Sequence, residues 1–410
     1  MILRGLLLFI VTIFAWEAAA EEITLKKLIE SAFTENPALH SMEQKIRSTE
    51  ESAEADSSFS DPMIGLSQMN GDKRITNWSI GQKFEFPQKY SLKKDIQETK
   101  SRFFTQEREQ LKLDLRAQII TTYYSIYAIQ KIKSLTNEDF GKIREFSRIA
   151  ESKYAAGTGP MQDSMKAHLA QTEVEVSLIS LNQEEDVLQS VMRSLLNKPA
   201  SFRVQTAKEE ISVPNISLAD LAALKIETQK SPKLVEKQLQ IEEAGYRHSL
   251  AKWQYAPDFQ LKYQGRISGD PKDARTVSLE MSVPLWFGGK AAGEKSTYLM
   301  KQSKESDLEN TILILTSQIE TQKSKVKNQS ELLSIFKTSL IPQAITSFES
   351  SMDAYKANNV TFLSLLDSER SLLKVQIAYY RTLTQYIESL TKLESALGYS
   401  VSKLGMLEDL

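Results

Sequence analysis

The 410-residue chain contains no cysteine. That excludes a disulfide framework, thiolate chemistry and a cysteine-borne lipid anchor, and it is compatible with an oxidising compartment. Glycine and proline are scarce, 15 and 11 residues, and they gather at a few joints, which favours a small number of very long elements. Neither sign of charge is in excess, and a formal net charge of −2 gives no footing for nucleic acid. The three histidines, His40, His168 and His248, lie far apart and share no metal-ligand spacing. Long apolar runs are missing as well. The one near the start, Gly5–Trp16, falls short of the ~20 residues that a helix needs to cross a bilayer. It follows Arg4 and precedes Ala18-Ala19-Ala20, so residues 1–20 are expected to be a secretory signal and the mature chain to be exported. A membrane could then be spanned only by strands.

Two strand-like runs are present at 257–287. Phe259, Leu261 and Tyr263 alternate with Gln260, Lys262 and Gln264. After the turn-rich Ser268-Gly269-Asp270-Pro271-Lys272-Asp273, Val277, Leu279, Met281, Val283 and Leu285 alternate with Ser278, Glu280, Ser282 and Pro284. Period-two alternation marks strands with one apolar and one polar face. A lone hairpin between charged helical stretches is marginal in water, so it needs a partner. Pro62 lies 195 positions before Pro257, and Asn36-Pro37 stands in the same relation to Ser231-Pro232. The hairpin expected at 62–87 carries Ile64 and Leu66, then Trp78, Ile80, Phe84 and Phe86 alternating with Ser79, Gly81, Lys83 and Glu85, around the turn Asn70-Gly71-Asp72-Lys73. An internal repeat of this length outweighs any single motif.

The expected layout is therefore two tandem repeats, 21–210 and 211–410. Each begins with a short helix, capped by Thr24 in one and Ser217 in the other, and a second helix opening at Pro37 or Pro232. Each hairpin feeds a long helix, over 91–154 and 289–355; the first would be a rod of ~90 Å if continuous. Leu111, Leu115, Ile119, Thr122, Ile126 and Ile129 trace one buried seam, and Leu308, Ile312, Leu315, Ile319, Val326, Leu333, Phe336 and Leu340 another, with Gln322 and Gln329 filling two gaps. Tight breaks at 155–161 and 356–362 precede return helices that run to about 197 and 397, with a mixed joint over 198–215.

No constellation for catalysis or cofactor binding emerges, and the chain is expected to be neither an enzyme nor a cofactor carrier. Gly289-Lys290-Ala291-Ala292-Gly293-Glu294-Lys295-Ser296 approaches a P-loop, but Glu294 stands where glycine is needed and would repel phosphate. Met161 and Met165, one turn apart, could touch a soft metal ion or simply pack. Runs such as Lys93–Lys100 suit solvated helix faces. The aromatics Trp78, Phe84, Phe86, Trp253, Tyr255, Trp286 and Phe287 gather in or beside the hairpins, as interface belts do in membrane barrels. Four strands cannot close such a barrel, because single-chain barrels start at about eight and an open edge is forbidden in lipid. A membrane role would require self-association. The competing reading is a soluble periplasmic coiled-coil adaptor or scaffold, which would have no use for lipid-facing strands.

This organisation resembles the TolC family of outer-membrane efflux proteins across essentially all of the mature sequence. The resemblance rests on the duplicated layout, the hairpins closing at Phe86-Pro87 and Val283-Pro284, and the breaks Gly157-Thr158-Gly159-Pro160-Met161 and Asn358-Asn359-Val360-Thr361-Phe362. It also rests on Leu365-Leu366-Asp367-Ser368-Glu369-Arg370-Ser371-Leu372, similar to the family's V-L-D-A-x-x-x-L stretch. The resemblance implies a mainly α fold with a membrane β-barrel: a homotrimer with four strands per chain, a twelve-stranded outer-membrane barrel and an α-helical tunnel across the periplasm. It implies outer-membrane lipid, a periplasmic adaptor and an inner-membrane pump as partners, the adaptor gripping the tips at Gly157, Thr158, Gly159, Pro160, Asn358, Asn359, Val360 and Thr361. It also implies an aspartate ring at the periplasmic mouth. Asp367 occupies one of its two positions, Ser364 the other, and Asp163 the matching place in the first half, where it could supplement the ring. Cargo is not specified, since metal ions, drugs and peptides would all pass a duct whose selectivity resides in the pump.

Overall fold

The computed structural model describes residues 24–69, 75–206, 216–226, 230–268 and 275–401. The signal segment, both hairpin turns and much of the 198–215 joint lie outside them. Two short helices, α1 (Leu25–Glu35) and α2 (Pro37–Ser57), lead into strands β1 (Met63–Met69) and β2 (Ile75–Phe84). Helix α3 (Pro87–Ala155) and its antiparallel return α4 (Met161–Leu196) follow. The same order recurs in α5 (Leu218–Ala223), α6 (Pro232–Trp253), β3 (Phe259–Ser268), β4 (Thr276–Met281), α7 (Phe287–Ile335), α8 (Ile341–Lys356) and α9 (Phe362–Leu397).

Local chemistry sets the ends of these elements. The Thr24 side chain accepts from the Lys27 N–H, and that of Ser217 from the Asp220 N–H. Each satisfies a backbone donor that the first helical turn leaves open. Pro37, Pro87 and Pro232 occupy first-turn positions, where a missing N–H costs nothing. For this reason α3 starts at Pro87, a turn earlier than the charge pattern suggests. Its 69 residues make a rod of roughly 100 Å.

The first seam holds as expected: Leu115, Ile119, Thr122, Ile126 and Ile129 are buried. In the second, Leu315, Ile319, Val326 and Leu333 are buried, but Leu340 is 38% exposed and Ile341 packs against the core instead. The cause is a π-helical turn, Phe336–Leu340, just before Pro342. Proline has no N–H to continue the α-ladder, and the wider turn inserts one residue, which rotates the following face. The heptad expectation for Leu340 is thus corrected by one position.

The main core lies midway along the rods, where α1, α3, α4, α7 and α9 meet around Ile29, Ile119, Tyr127, Ile319, Tyr386 and Leu390. A second apolar cluster sits at the far end, with Ile143, Phe146, Ala167, Tyr355, Phe362 and Leu365. Among the described residues no helix is long and apolar enough to cross a membrane.

Candidate functional site

The four strands form one antiparallel sheet in the order β1-β2-β3-β4, so β1 and β4 are open edges. Register places Ile64 opposite Ile80, Ile80 opposite Tyr263, and Tyr263 opposite Val277. One step away, Phe84, Phe259 and Met281 align, as do Leu261 and Leu279. One face therefore carries most of the apolar side chains of all four strands, interrupted by Gln82 opposite Leu261. On the other, Ser79 faces Gln264, Lys262 faces Ser278, and Gln260 faces Glu280. Among the described residues nothing covers the apolar face: Ile64 is 80% exposed and Leu279 70%. Trp78 lies flat across Gly265, where a Cβ would come within 2.8 Å of the indole nitrogen, and meets Tyr263 edge-on at 5.4 Å. Only glycine fits beneath that ring.

A ring of aromatics marks the end of the sheet next to the helices. Phe86 stacks on Trp253 at 5.0 Å, Phe59 contacts Phe84 and Tyr90, Tyr255 stacks on Phe287, and Trp286 is 87% exposed. Just inside it, Lys89 Nζ binds Asp258 Oδ1 at 2.7 Å and donates to the Ala256 carbonyl, tying the start of α3 to β3. The sheet thus has one mainly apolar face, one mainly polar face on which β1 also carries Met63 and Met69, and aromatics gathered at its helix end.

At the opposite end both helix breaks use one device. Gly157 (φ +70°) and Asn358 (φ +59°) adopt left-handed backbone. In each case the next residue donates its N–H five residues back: Thr158 to the Lys153 carbonyl and Asn359 to that of Ala354, both at 2.8 Å. This is the turn that closes a helix whose last carbonyls lack partners. Lys153 then joins the two tips, donating to Asn358 Oδ1 at 2.6 Å and lying 4.0 Å above the Tyr355 ring. A Cβ on Gly159 would meet Lys153 Cβ at 3.0 Å. Gly157, Thr158, Pro160, Asn358, Asn359 and Thr361 are exposed. Val360 is half-buried against the lower cluster, and its packing was invisible in the sequence.

Ser364 and Asp367 are exposed one turn apart on α9, with the Thr361 hydroxyl accepting from the Ser364 N–H at 3.2 Å. Asp163 belongs to the other return helix. It is half-buried in the first turn of α4, and its charge, added to burial, raises the Tyr355 hydroxyl above the usual range. The structure therefore brings Ser364 and Asp367 together on one helix turn and leaves Asp163 on α4, close enough for its charge to act on Tyr355. Arg370 on α9 reaches Glu173 on α4 at 2.6 Å, and Arg381 grips Glu184 through both nitrogens. Neither cross-link was legible from spacing. Among the described residues no group of three His, Asp or Glu side chains is placed to hold a metal ion.

No family model matches the sequence. A curated relative, the cobalt-zinc-cadmium resistance protein CzcC of Cupriavidus metallidurans, is 18% identical over 293 residues, 70% of this chain and 68% of that one. Among solved structures, the outer membrane protein VceC of Vibrio cholerae superposes with a TM-score of 0.77 at 16% identity, covering 92% of this chain and 96% of the other. The Campylobacter jejuni CmeC outer membrane channel gives 0.77 at 13% identity over 94% and 90%. The outer-membrane channel OprN gives 0.77 at 15% identity over 91% and 89%. The chain has the fold of the outer-membrane channels, and the likeness to the TolC family read from its sequence is borne out.

Proposed function

We propose that the chain is the outer-membrane exit duct of a tripartite efflux or secretion system, conducting substrate passively from a pump and adaptor out of the cell. The observation that carries this reading is the sheet: a bare apolar face, a polar face behind it and two unpaired edges. A soluble rod would expose that face to water at considerable cost, which disfavours the scaffold reading. In lipid the edges must be closed, and further copies of the chain are the available strands. Three copies would supply twelve strands, with β4 of each pairing to β1 of the next. The helices support self-association too: Met165, Leu169, Val176, Ile179 and Val187 leave an exposed apolar stripe along α4, and α7 exposes Leu299 and Leu313. Signal, sheet and rods would then place the barrel in the outer membrane and the tunnel in the periplasm. The two repeats are read as a duplication, supported by the shared turn at Gly157 and Asn358.

At the tunnel mouth, three copies of Asp367 would form a ring that selects for cations. Ser364, one turn before it, leaves the second ring uncharged. The tips at Gly157–Pro160 and Asn358–Thr361, set side by side by Lys153, are the surface offered to the adaptor. Single-channel recording in planar bilayers at low salt, where screening is weakest, tests both levels. The expected result is a stable cation-preferring conductance, with the preference lowered in Asp367→Asn. Absence of channels would contradict the duct. Channels of unaltered selectivity in Asp367→Asn would place that residue outside the conduction path.

A further inference from the structure

Helices α3 and α9 run antiparallel in a constant register. Gln110 meets Ser395, Thr121 meets Thr391 at 3.1 Å, and the rings of Tyr127 and Tyr380 meet edge-on. Further toward the tips, Ile132 and Ile377 share one apolar cluster, and Ile143 shares the next with Leu365 and Leu366. Between these two layers α3 places Asp139 and α9 places Glu369, at the same level of the seam. Within a single chain they are already 2% and 1% exposed. Neither oxygen of Asp139, nor Oε2 of Glu369, has a hydrogen-bond partner.

The surroundings do not neutralise them. The nearby Thr136 hydroxyl is committed to the Ile132 carbonyl. Lys142, on α3 itself, lies over the Phe348 ring that α8 contributes. Arg370, on α9, is bonded to Glu173 of α4 at 2.6 Å. Those two cations favour the Asp139 carboxylate only at a distance, and burial outweighs them. An ionised Asp139 without hydrogen bonds in this buried seam is disfavoured by desolvation.

We propose that Asp139 and Glu369 form a buried proton-binding site in the α3–α9 seam, protonated when the seam is closed and losing its proton when the two helices part. Burial, opposed by Lys142 and Arg370, pushes Asp139 up to about 6. The sign follows from that direction. The folded chain binds a proton that the opened chain releases, so this contribution to the seam is complete below about pH 4 and is lost as pH rises through about 6. The site thus makes the portion of the rods next to the tips tighter in mild acid than at neutral pH.

Infrared difference titration of the purified full-length protein in detergent tests this. The expected spectrum shows a protonated-carboxyl band that disappears with a midpoint near pH 6, far above the exposed acids. The isosteric Asp139→Asn should remove it, and Glu145→Gln, at an exposed position on the same helix, should leave it unchanged. Glu369→Gln should move the remaining midpoint downward, because a like charge has been removed. A band unaffected by Asp139→Asn, or no carboxyl titrating near neutrality, would overturn the site. A midpoint indifferent to Glu369→Gln would overturn the sharing of one proton by the pair.

Discussion

Leu279→Arg is expected to abolish most of the assembled protein recovered from outer membranes, while Ser278→Arg, one residue away, leaves it near the parental level. Leu279 lies in the middle of β4, 70% exposed, directly opposite Leu261 on the apolar face. If that face meets lipid, an arginine there costs about 2–4 kcal/mol at mid-bilayer depth. Ser278 points the other way, opposite Lys262 and two residues from Glu280. An arginine at that position meets one charge of each sign in water, a difference below about 1 kcal/mol. Quantifying detergent-extracted oligomer for both variants reads the sheet's orientation directly. Equal recovery would mean that neither face contacts lipid.

Removal of one carboxylate from the middle of the rods should be equally damaging for a different reason. Arg116 on α3 and Glu394 on α9, 278 positions apart, form an ion pair at 2.9 Å with side chains only 9% and 2% exposed. The other oxygen of Glu394 accepts from the Val401 N–H at 2.9 Å and the Ser400 hydroxyl at 3.2 Å, pinning the segment after Gly398. Gly398 can be nothing else: its φ is +86°, and a Cβ would lie 2.7 Å from Pro232. Glu394→Ala breaks this buried ion pair and removes the acceptor of Val401 and Ser400, a loss of up to about 3–5 kcal/mol. The double change Arg116→Met with Glu394→Leu should recover most of that, because two apolar side chains need no partner. Denaturant midpoints of the single and double variants give the comparison. A single variant as stable as the parent would show that the pair contributes little.

The parts of this architecture that could be read in advance are those in which one residue type has one physical use. Alternation at 259–264 and 277–285 gave the strands and the faces on which their side chains lie, because the pleat has a period of two, although β4 ends at Met281, short of the expected Leu285. Thr24 and Ser217 gave helix starts, and the Gly157 and Asn358 breaks gave the tips. The pairing of β2 with β3, which merges two hairpins into one sheet, needed the repeat as well as the pattern. What stayed hidden depends on partners distant in sequence or on phase. Nothing in the sequence sets Glu394, Asp139 or Glu369 apart from exposed charges, because periodicity cannot tell a buried carboxylate from an exposed one when the opposing helix is unknown. The seam at Leu340 slipped by one residue because the π turn ahead of Pro342 breaks the repeat that the heptad assumes. Ser364 and Asp367 were legible as neighbours from helical spacing, whereas the electrostatic effect of Asp163 on Tyr355 required the fold.

Closure of the sheet by neighbouring copies can be tested by cross-linking its two edges, and a chain without cysteine offers a clean background. Within one chain β1 and β4 are separated by three strand spacings, about 14 Å, twice the ~7 Å Cα separation beyond which a disulfide cannot form. A cysteine at Leu66 paired in turn with one at Val277, Leu279 or Met281 can therefore bridge only between copies. Oxidation of membrane-embedded protein should convert the pair in correct register to covalent dimers and trimers on denaturing gels, reversed by reductant and absent from either single-cysteine variant. Monomer alone for every pair, in membranes where the protein is present, would contradict a barrel closed by its own copies.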